Sequence, residues 1–250
     1  MKYNNYIFDL YGTLVDIHTN EKKASVWKKT AMALGLQGAE ISARQLQKEF
    51  EQKIEFFEKR LAQQESLRIG ETLTEADIEI KLEAVFDEIL SQRGMKLDAQ
   101  QMKTFGIWFR TLTIEKLRLF EQAWPLLQTL RNHGKKIYLL SNAQRMFTEP
   151  EMRYLGIYEM FDGICYSSDA GYKKPSGLFY SYQFDRYGLD KEESVMIGND
   201  WKADAWGTAS FGIDSIYIHT EQSSEIKGEL PENCMVIEQL MDIVADFRNA

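Results

Sequence analysis

The sequence predicts an α/β fold: a doubly wound parallel sheet whose first strand is followed by an inserted, all-helical cap. Three observations carry this. After residue 124, short apolar runs alternate with amphipathic stretches. Between about 17 and 118, apolar residues recur at helical spacing instead. All four prolines lie at or beyond Pro125, so the chain divides into two compositional regimes. A strand–helix–strand–helix order is the signature of a parallel sheet covered on both faces.

The strand candidates, in order, are 6–8, 137–140, 163–166, 195–197 and 215–218. They are rich in β-branched and aromatic residues and lack polar–apolar alternation, as strands buried on both faces do. Helices are predicted over 125–133, 176–187 and 202–211. Inside the insert, 43–62 carries Leu46, Phe50, Ile54, Phe57 and Leu61 on one helical face, and 75–92 carries Ile78, Leu82, Val85, Phe86, Ile89 and Leu90. Breaks fall near Gly35, Gly70 and Gly94. The expected division is a core of residues 1–16 and 119–250 and a helical cap of 17–118, with hinges near 16–20 and 113–120.

Composition narrows the function classes. The chain has 250 residues, 44% hydrophobic and 27% charged, with a net charge of −8. That is a globular composition, and no basic face for nucleic acid is evident. Cys165 and Cys234 form no CxxC pair, and His18, His133 and His219 show no metal-ligand spacing. There is no apolar stretch of bilayer length and no signal-peptide pattern at the N-terminus, so a cytoplasmic protein without membrane contact is expected. A monomer and a homodimer stay open.

In an open α/β sheet, ligands bind at the carboxyl ends of the strands. Asp9 follows the first apolar run, Ser141-Asn142 the second, Lys173-Lys174-Pro175 lies beyond the third, and Gly198-Asn199-Asp200 with Asp204 follows the fourth. Taken singly, each could be a helix cap, a turn or a solvated loop charge. Together they deliver a carboxylate, a hydroxyl, an ammonium and more carboxylates to one end of the sheet.

The run Phe8-Asp9-Leu10-Tyr11-Gly12-Thr13-Leu14, with these later groups, resembles the four motifs of the haloacid dehalogenase-like hydrolases, over 6–16 and about 120–220. The insert sits where that superfamily carries a helical cap on its Rossmann-like core. The resemblance implies that Asp9 is a nucleophile forming a covalent aspartyl intermediate. It implies that Ser141 hydrogen-bonds the transferring group, with Asn142 and Thr13 beside it, and that Lys174 offsets the charge on Asp9. It further implies a Mg²⁺ held by Asp9, the Tyr11 carbonyl and Asp204, with Asn199 and Asp200 as further candidate ligands, and a small anionic substrate.

Two departures divide the expectation. Phosphatases of the superfamily usually place an Asp, the proton donor to the leaving oxygen, where this chain has Tyr11. A phenol with a pKa near 10 replaces that acid poorly. The 2-haloacid dehalogenases have a similar Asp-x-Tyr-Gly-Thr run; halide leaves without a proton and no metal is needed. They bind the substrate carboxylate through a cap arginine, for which Arg44 is the candidate. The fourth motif, with Asn199 where metal-dependent members usually have Asp, looks closer to a metal-binding phosphatase. The leading expectation is a Mg²⁺-dependent phosphatase. The alternatives are a metal-independent 2-haloacid dehalogenase and a ligand-binding protein that has lost turnover.

Overall fold

The computed structural model describes residues 3–249, with side chains to residue 245; Met1, Lys2 and Ala250, at the outer ends of the expected core segments, lie outside the described residues. The strands are β1 (Asn5–Phe8), β2 (Val15–Thr19), β3 (Ile114–Leu119), β4 (Lys136–Ser141), β5 (Gly163–Tyr166), β6 (Ser194–Gly198), β7 (Asp214–Ile218) and β8 (Cys234–Ile237). Six of them form one parallel sheet in the order β5-β4-β1-β6-β7-β8. β1 is central: Phe8 is level with Leu139 of β4 and Ile197 of β6. The chain leaves β1 toward β4 on one side and leaves β6 toward β7 on the other. The carboxyl ends of β1 and β6 therefore flank the switch point, where an open sheet parts to admit a ligand.

The pleat sends alternate residues to opposite layers. Tyr6 and Phe8 pack with Leu126, Leu127 and Leu130 of helix α5 (Ala123–Asn132), while Ile7 packs with Phe179 and Tyr180 of α8 (Gly177–Tyr187). Both faces of β1 are buried, which is why Tyr6–Phe8 is continuously apolar and Asn5 is tied by its side chain to Ser194.

The insert contains α1 (Ala24–Leu36), α2 (Ala43–Ile69), α3 (Leu82–Ser91) and α4 (Ala99–Thr113). Their ends carry the expected local chemistry. Ser42 caps α2 by accepting the Gln45 amide, Gly70 closes it at φ +78°, and Asp98 with Gln101 forms a capping box on α4. Trp27, Phe50, Phe86 and Phe109 form an aromatic core, with Phe50–Phe86 and Phe86–Phe109 centroids at 5.0 and 5.1 Å. The core helix α6 (Arg145–Tyr154) adds Met146 and Phe147 to this cluster, so the cap rests on α6.

Three readings change. The ends of the 17–118 insert are not helical: β2 and β3 pair antiparallel as a ribbon across the expected hinge residues. The 75–92 stretch becomes helical only from Leu82. Asp77 accepts the Thr74 amide and hydroxyl, which fixes a turn, and Ile78 bridges to Tyr172 of the core, so tertiary pairing overrides the apolar spacing. The 202–211 helix opens with a π turn, Trp201–Trp206, before α9 (Gly207–Phe211). β8 is a strand the sequence reading did not anticipate; Met235 and Val236 in it are exposed, as edge-strand residues can be. Among the described residues, no helix is long and apolar enough to cross a membrane.

Candidate active site

Asp9 emerges from the carboxyl end of β1 and is buried. Its Oδ1 accepts a hydrogen bond from Lys174 Nζ at 2.8 Å and faces the Ser141 hydroxyl, from the end of β4, at 3.4 Å. Lys174 Nζ also donates to Asp204 Oδ1 at 2.6 Å, so one ammonium joins two carboxylates. The Asn142 side chain holds this lysine from behind: its Nδ2 donates to the Lys174 carbonyl at 2.9 Å and its Oδ1 accepts the Lys174 amide at 2.7 Å. Burial alone would lower the Lys174 pKa, but the charges of Asp204 and Asp9 outweigh it and raise it. For Asp204, burial dominates and pushes its carboxyl up to about 6, against the pull of Lys174. Asp204 lies so close to the backbone of Gly198 that any Cβ there would collide with its carboxylate, which explains a glycine at the end of β6.

The turn beyond the nucleophile is braced by Asn199. Gly12 takes φ +82°, and a Cβ there would strike the Asn199 amide. Thr13 donates to Asn199 Oδ1 at 3.2 Å, and Asn199 Nδ2 faces Thr220 and Ser223. Asp200 caps the following helix, its Oδ1 accepting the amides of Lys202 and Ala203 at 2.9 and 2.7 Å. Asp204 Oδ2 accepts the Asp200 amide at 3.0 Å.

These commitments decide how well the site fits a divalent cation, which wants several oxygen ligands, carboxylates among them. Asp204 spends both carboxylate oxygens, Asp200 is a cap, and Asn199 braces Gly12-Thr13. That leaves Asp9 Oδ2, with an ammonium already on the same carboxylate. Among the described residues, no group of three or more His, Cys, Asp or Glu side chains is arranged to hold a metal ion. The expected set Asp9, Tyr11, Asn199, Asp200 and Asp204 therefore does not fit Mg²⁺ in this arrangement. The reason is physical: the side-chain oxygens of Asn199, Asp200 and Asp204 already serve backbone amides, a hydroxyl and Lys174.

The Tyr11 hydroxyl is engaged by α6. It donates to Glu151 Oε2 and accepts from the Thr148 hydroxyl at 2.9 Å, both residues on α6. The ring edge stays open to the cleft while the hydroxyl is enclosed. Burial, then the Glu151 charge, raise its pKa well above the ordinary phenol value. Arg110 of α4 completes the arrangement, with Nε donating to Glu151 Oε1 at 2.6 Å and Nη1 to Glu21 Oε1 at 3.1 Å. Its guanidinium lies 5.2 Å over the Phe147 ring.

Cap and core enclose a cleft of about 420 Å³, walled by Tyr11, Phe50, Phe109, Arg110, Asn142 and Phe147 among others. Arg44 does not belong to it. It stands exposed in the first turn of α2, where the inward face is taken by Leu46 and Phe50. The cap arginine on the cleft is Arg110, which sequence reasoning missed. Its signal was present: Arg110 falls on the helical stripe Met102, Gly106, Phe109 and Thr113, all buried, where a cation needs a partner. Glu151 gave the same signal on α6, beside Phe147 and Thr148.

On the far side of the cleft, the cap segment around Ile78 joins the loop that carries Lys174. Glu79 N donates to Gly171 O and Lys173 N to Asp77 O, each at 3.0 Å. Gln144 bonds the Glu79 side chain, the Ile80 carbonyl and the Leu82 amide at 2.9, 2.8 and 3.0 Å.

A parallel sheet with a helical insert after β1, and an aspartate, serine, lysine and aspartate gathered at its switch point, defines a class. The chain belongs to the haloacid dehalogenase-like hydrolase family, which matches residues 3–212. An (S)-2-haloacid dehalogenase from Pseudomonas sp. strain YL is 27% identical over 90% of this chain and 87% of its own. A glyceraldehyde 3-phosphate phosphatase from Methanothermobacter thermautotrophicus is 24% identical over 62% of this chain and 76% of its own. In fold, the chain is similar to a magnesium-bound putative hydrolase, YfnB, of Bacillus subtilis, with a TM-score of 0.54 at 18% identity over 97% of each chain.

Proposed function

We propose that this hydrolase displaces a leaving group that departs without a proton, and that its substrate is a small 2-haloalkanoic acid. The observation that carries this reading is the position of Tyr11: its hydroxyl is turned onto Glu151 and Thr148, and its pKa is raised. An alkoxide leaving from a phosphate ester needs a proton, and losing the donor costs on the order of 10²–10⁴-fold. Halide needs none.

In the proposed reaction, Lys174 and Ser141 hold Asp9 Oδ1, and Oδ2 attacks carbon 2 of the substrate. The carbon–halogen bond breaks, its electron pair leaves with the halide, and an aspartyl ester forms. Water then attacks the carbonyl carbon of that ester, restoring Asp9 and releasing the 2-hydroxy acid. The carbon is inverted once. Asp204, sharing Lys174 with Asp9, is placed to take a proton from that water and return it to the departing alkoxide oxygen of the 2-hydroxy acid, and a carboxyl raised to about 6 suits it to both transfers. Arg110 on the cleft wall is the candidate for the substrate carboxylate. Its charge is offset by Glu151 and Glu21, so a monoanion is easier to admit than a phosphate dianion.

The coverage of the dehalogenase relative favours the same reading. The Mg²⁺-dependent phosphatase is the second reading, favoured by the phosphatase relative. One experiment separates them: purified protein is assayed for chloride release from (S)-2-chloropropionate in EDTA, and for phosphate release from a phosphomonoester panel with Mg²⁺. Chloride release unchanged by EDTA, and absent in Asp9→Asn, is the expected result. Phosphate release without any chloride release would sink the proposal.

A further inference from the structure

Tyr11, Glu151 and Arg110 come from three different parts of the chain. Tyr11 lies on the turn beyond the nucleophile, Glu151 on core helix α6 and Arg110 on cap helix α4. Glu151 is 5% exposed and bonds both neighbours at once, one with each carboxylate oxygen. We propose that Arg110 and Glu151 are positioning residues for Asp9: with the cap closed, their ion pair fixes the Tyr11 hydroxyl and thereby the Asp9–Gly12 turn, and cap opening releases it.

The argument rests on where the three groups sit relative to the hinge. The ribbon strand β2 begins just downstream of Tyr11, and β3 begins just downstream of Arg110. Any rotation of the insert about this ribbon moves Arg110 against Glu151. A buried carboxylate does not tolerate that silently. With Arg110 in place, Glu151 is neutralised on one oxygen and accepts the phenol on the other. Without it, the enclosed charge is uncompensated and must draw water or a new partner, at the expense of its geometry toward Tyr11. Among the described residues, this partner and Thr148 hold the Tyr11 hydroxyl. The turn it belongs to has one flexible glycine, Gly12, so a freed phenol can swing with the backbone. Asp9 must be held within a fraction of an ångström for attack, and a small displacement is costly.

The test needs no substrate for its first arm, so it stands apart from the dehalogenase reading. Hydrogen–deuterium exchange is followed in the full chain for wild type, Tyr11→Phe, Arg110→Met and Arg110→Lys. Tyr11→Phe keeps the ring and the cap ion pair; exchange in 10–14 should rise roughly tenfold while α4 is unchanged. Arg110→Met should raise exchange both in α4 and in 10–14, although the hydrogen bonds of Arg110 go to Glu151 and Glu21. If Arg110→Met does not fold, Arg110→Lys, which keeps the charge but loses the forked geometry, decides in its place. Faster exchange in α4 with no change in 10–14 would make Arg110 a cap mooring only and overturn the proposal. The second arm uses whichever product the enzyme releases. The kcat of Tyr11→Phe and of Arg110→Met should each fall about tenfold, with any lost contact of Arg110 to the substrate carboxylate read separately in KM, and the kcat of the double variant should fall no further, because both cut one chain of contacts. Multiplying effects would overturn it.

Discussion

At Tyr11 the cap is held to the core by charged side chains; near Lys174 a backbone bridge joins them as well, alongside the Lys173–Glu58 and Lys81–Asp169 ion pairs. The first seam is Arg110 between Glu151 and Glu21. The second is the bridge of Asp77–Glu79 to Gly171–Lys173, reinforced by Gln144. Each ends beside a residue of the proposed chemistry, but they respond differently to change. A backbone bridge survives most side-chain substitutions and has no dependence on protonation. A buried ion pair is lost with either partner, and what remains is worse than an apolar contact. The cap therefore has a sequence-tolerant edge near the lysine and a sequence-sensitive edge near the nucleophile.

Three measurements would break or sharpen that contrast. The largest effect is expected for Arg110→Met: chemical denaturation should show a loss of about 3 kcal/mol, because Glu151 keeps its burial and loses its cation. A loss no larger than that of an exposed pair would remove the distinction between the seams. Gln144→Leu should cost about 2 kcal/mol, since the Leu82 amide and the Glu79 carboxylate each lose a partner, while the backbone bridge persists. Equal or greater damage than at Arg110 would place the stronger mooring at the lysine side. The smallest effect, under about 1 kcal/mol, belongs to Glu79→Gln, and its sign depends on pH. Burial raises the Glu79 pKa above its unfolded value. Its contribution to stability is therefore complete below about pH 4.3 and is lost as pH rises through the native value. The variant, which cannot ionise, should melt higher than wild type at pH 7 and lose that advantage near pH 4. A constant difference between these pH values would show that Glu79 is not held in its raised state.

The sheet was legible because a strand buried on both faces must be apolar throughout, and 137–140 and 195–197 are. Asp9, Ser141, Lys174 and Asp204 were legible as a set because strand ends in this topology converge; the structure brings those four together. What sequence could not give was direction. Asn199 and Asp200 sit at the expected strand end, but a side chain there can face the cleft or turn back to serve a neighbouring amide. For both, local hydrogen bonds win: Asp200 has two open amides within reach, and Asn199 has the Gly12-Thr13 turn. Arg44 failed for a related reason. A helix in the insert was predicted, but which of its faces looks inward depends on α3 and α4, which pack against it. Ile78 shows the converse, an apolar residue at helical spacing captured by a bridge to a partner far along the chain.

Tyr11 carries a consequence for how such an enzyme could change its chemistry. The position that would hold a proton donor is the one that ties the nucleophile turn to the cap. Tyr11→Asp would bring a carboxyl to Asp9 and would also take the hydroxyl away from Glu151. The gain and the loss arrive in a single codon, so the substitution is strongly epistatic with positions 110 and 151. A route from halide to ester substrates that begins at position 11 passes through a poorly ordered intermediate. One that begins by replacing the Arg110–Glu151 pair loses the same hold on the turn, so directed evolution toward a phosphatase should find changes at 11, 110 and 151 arriving together rather than singly.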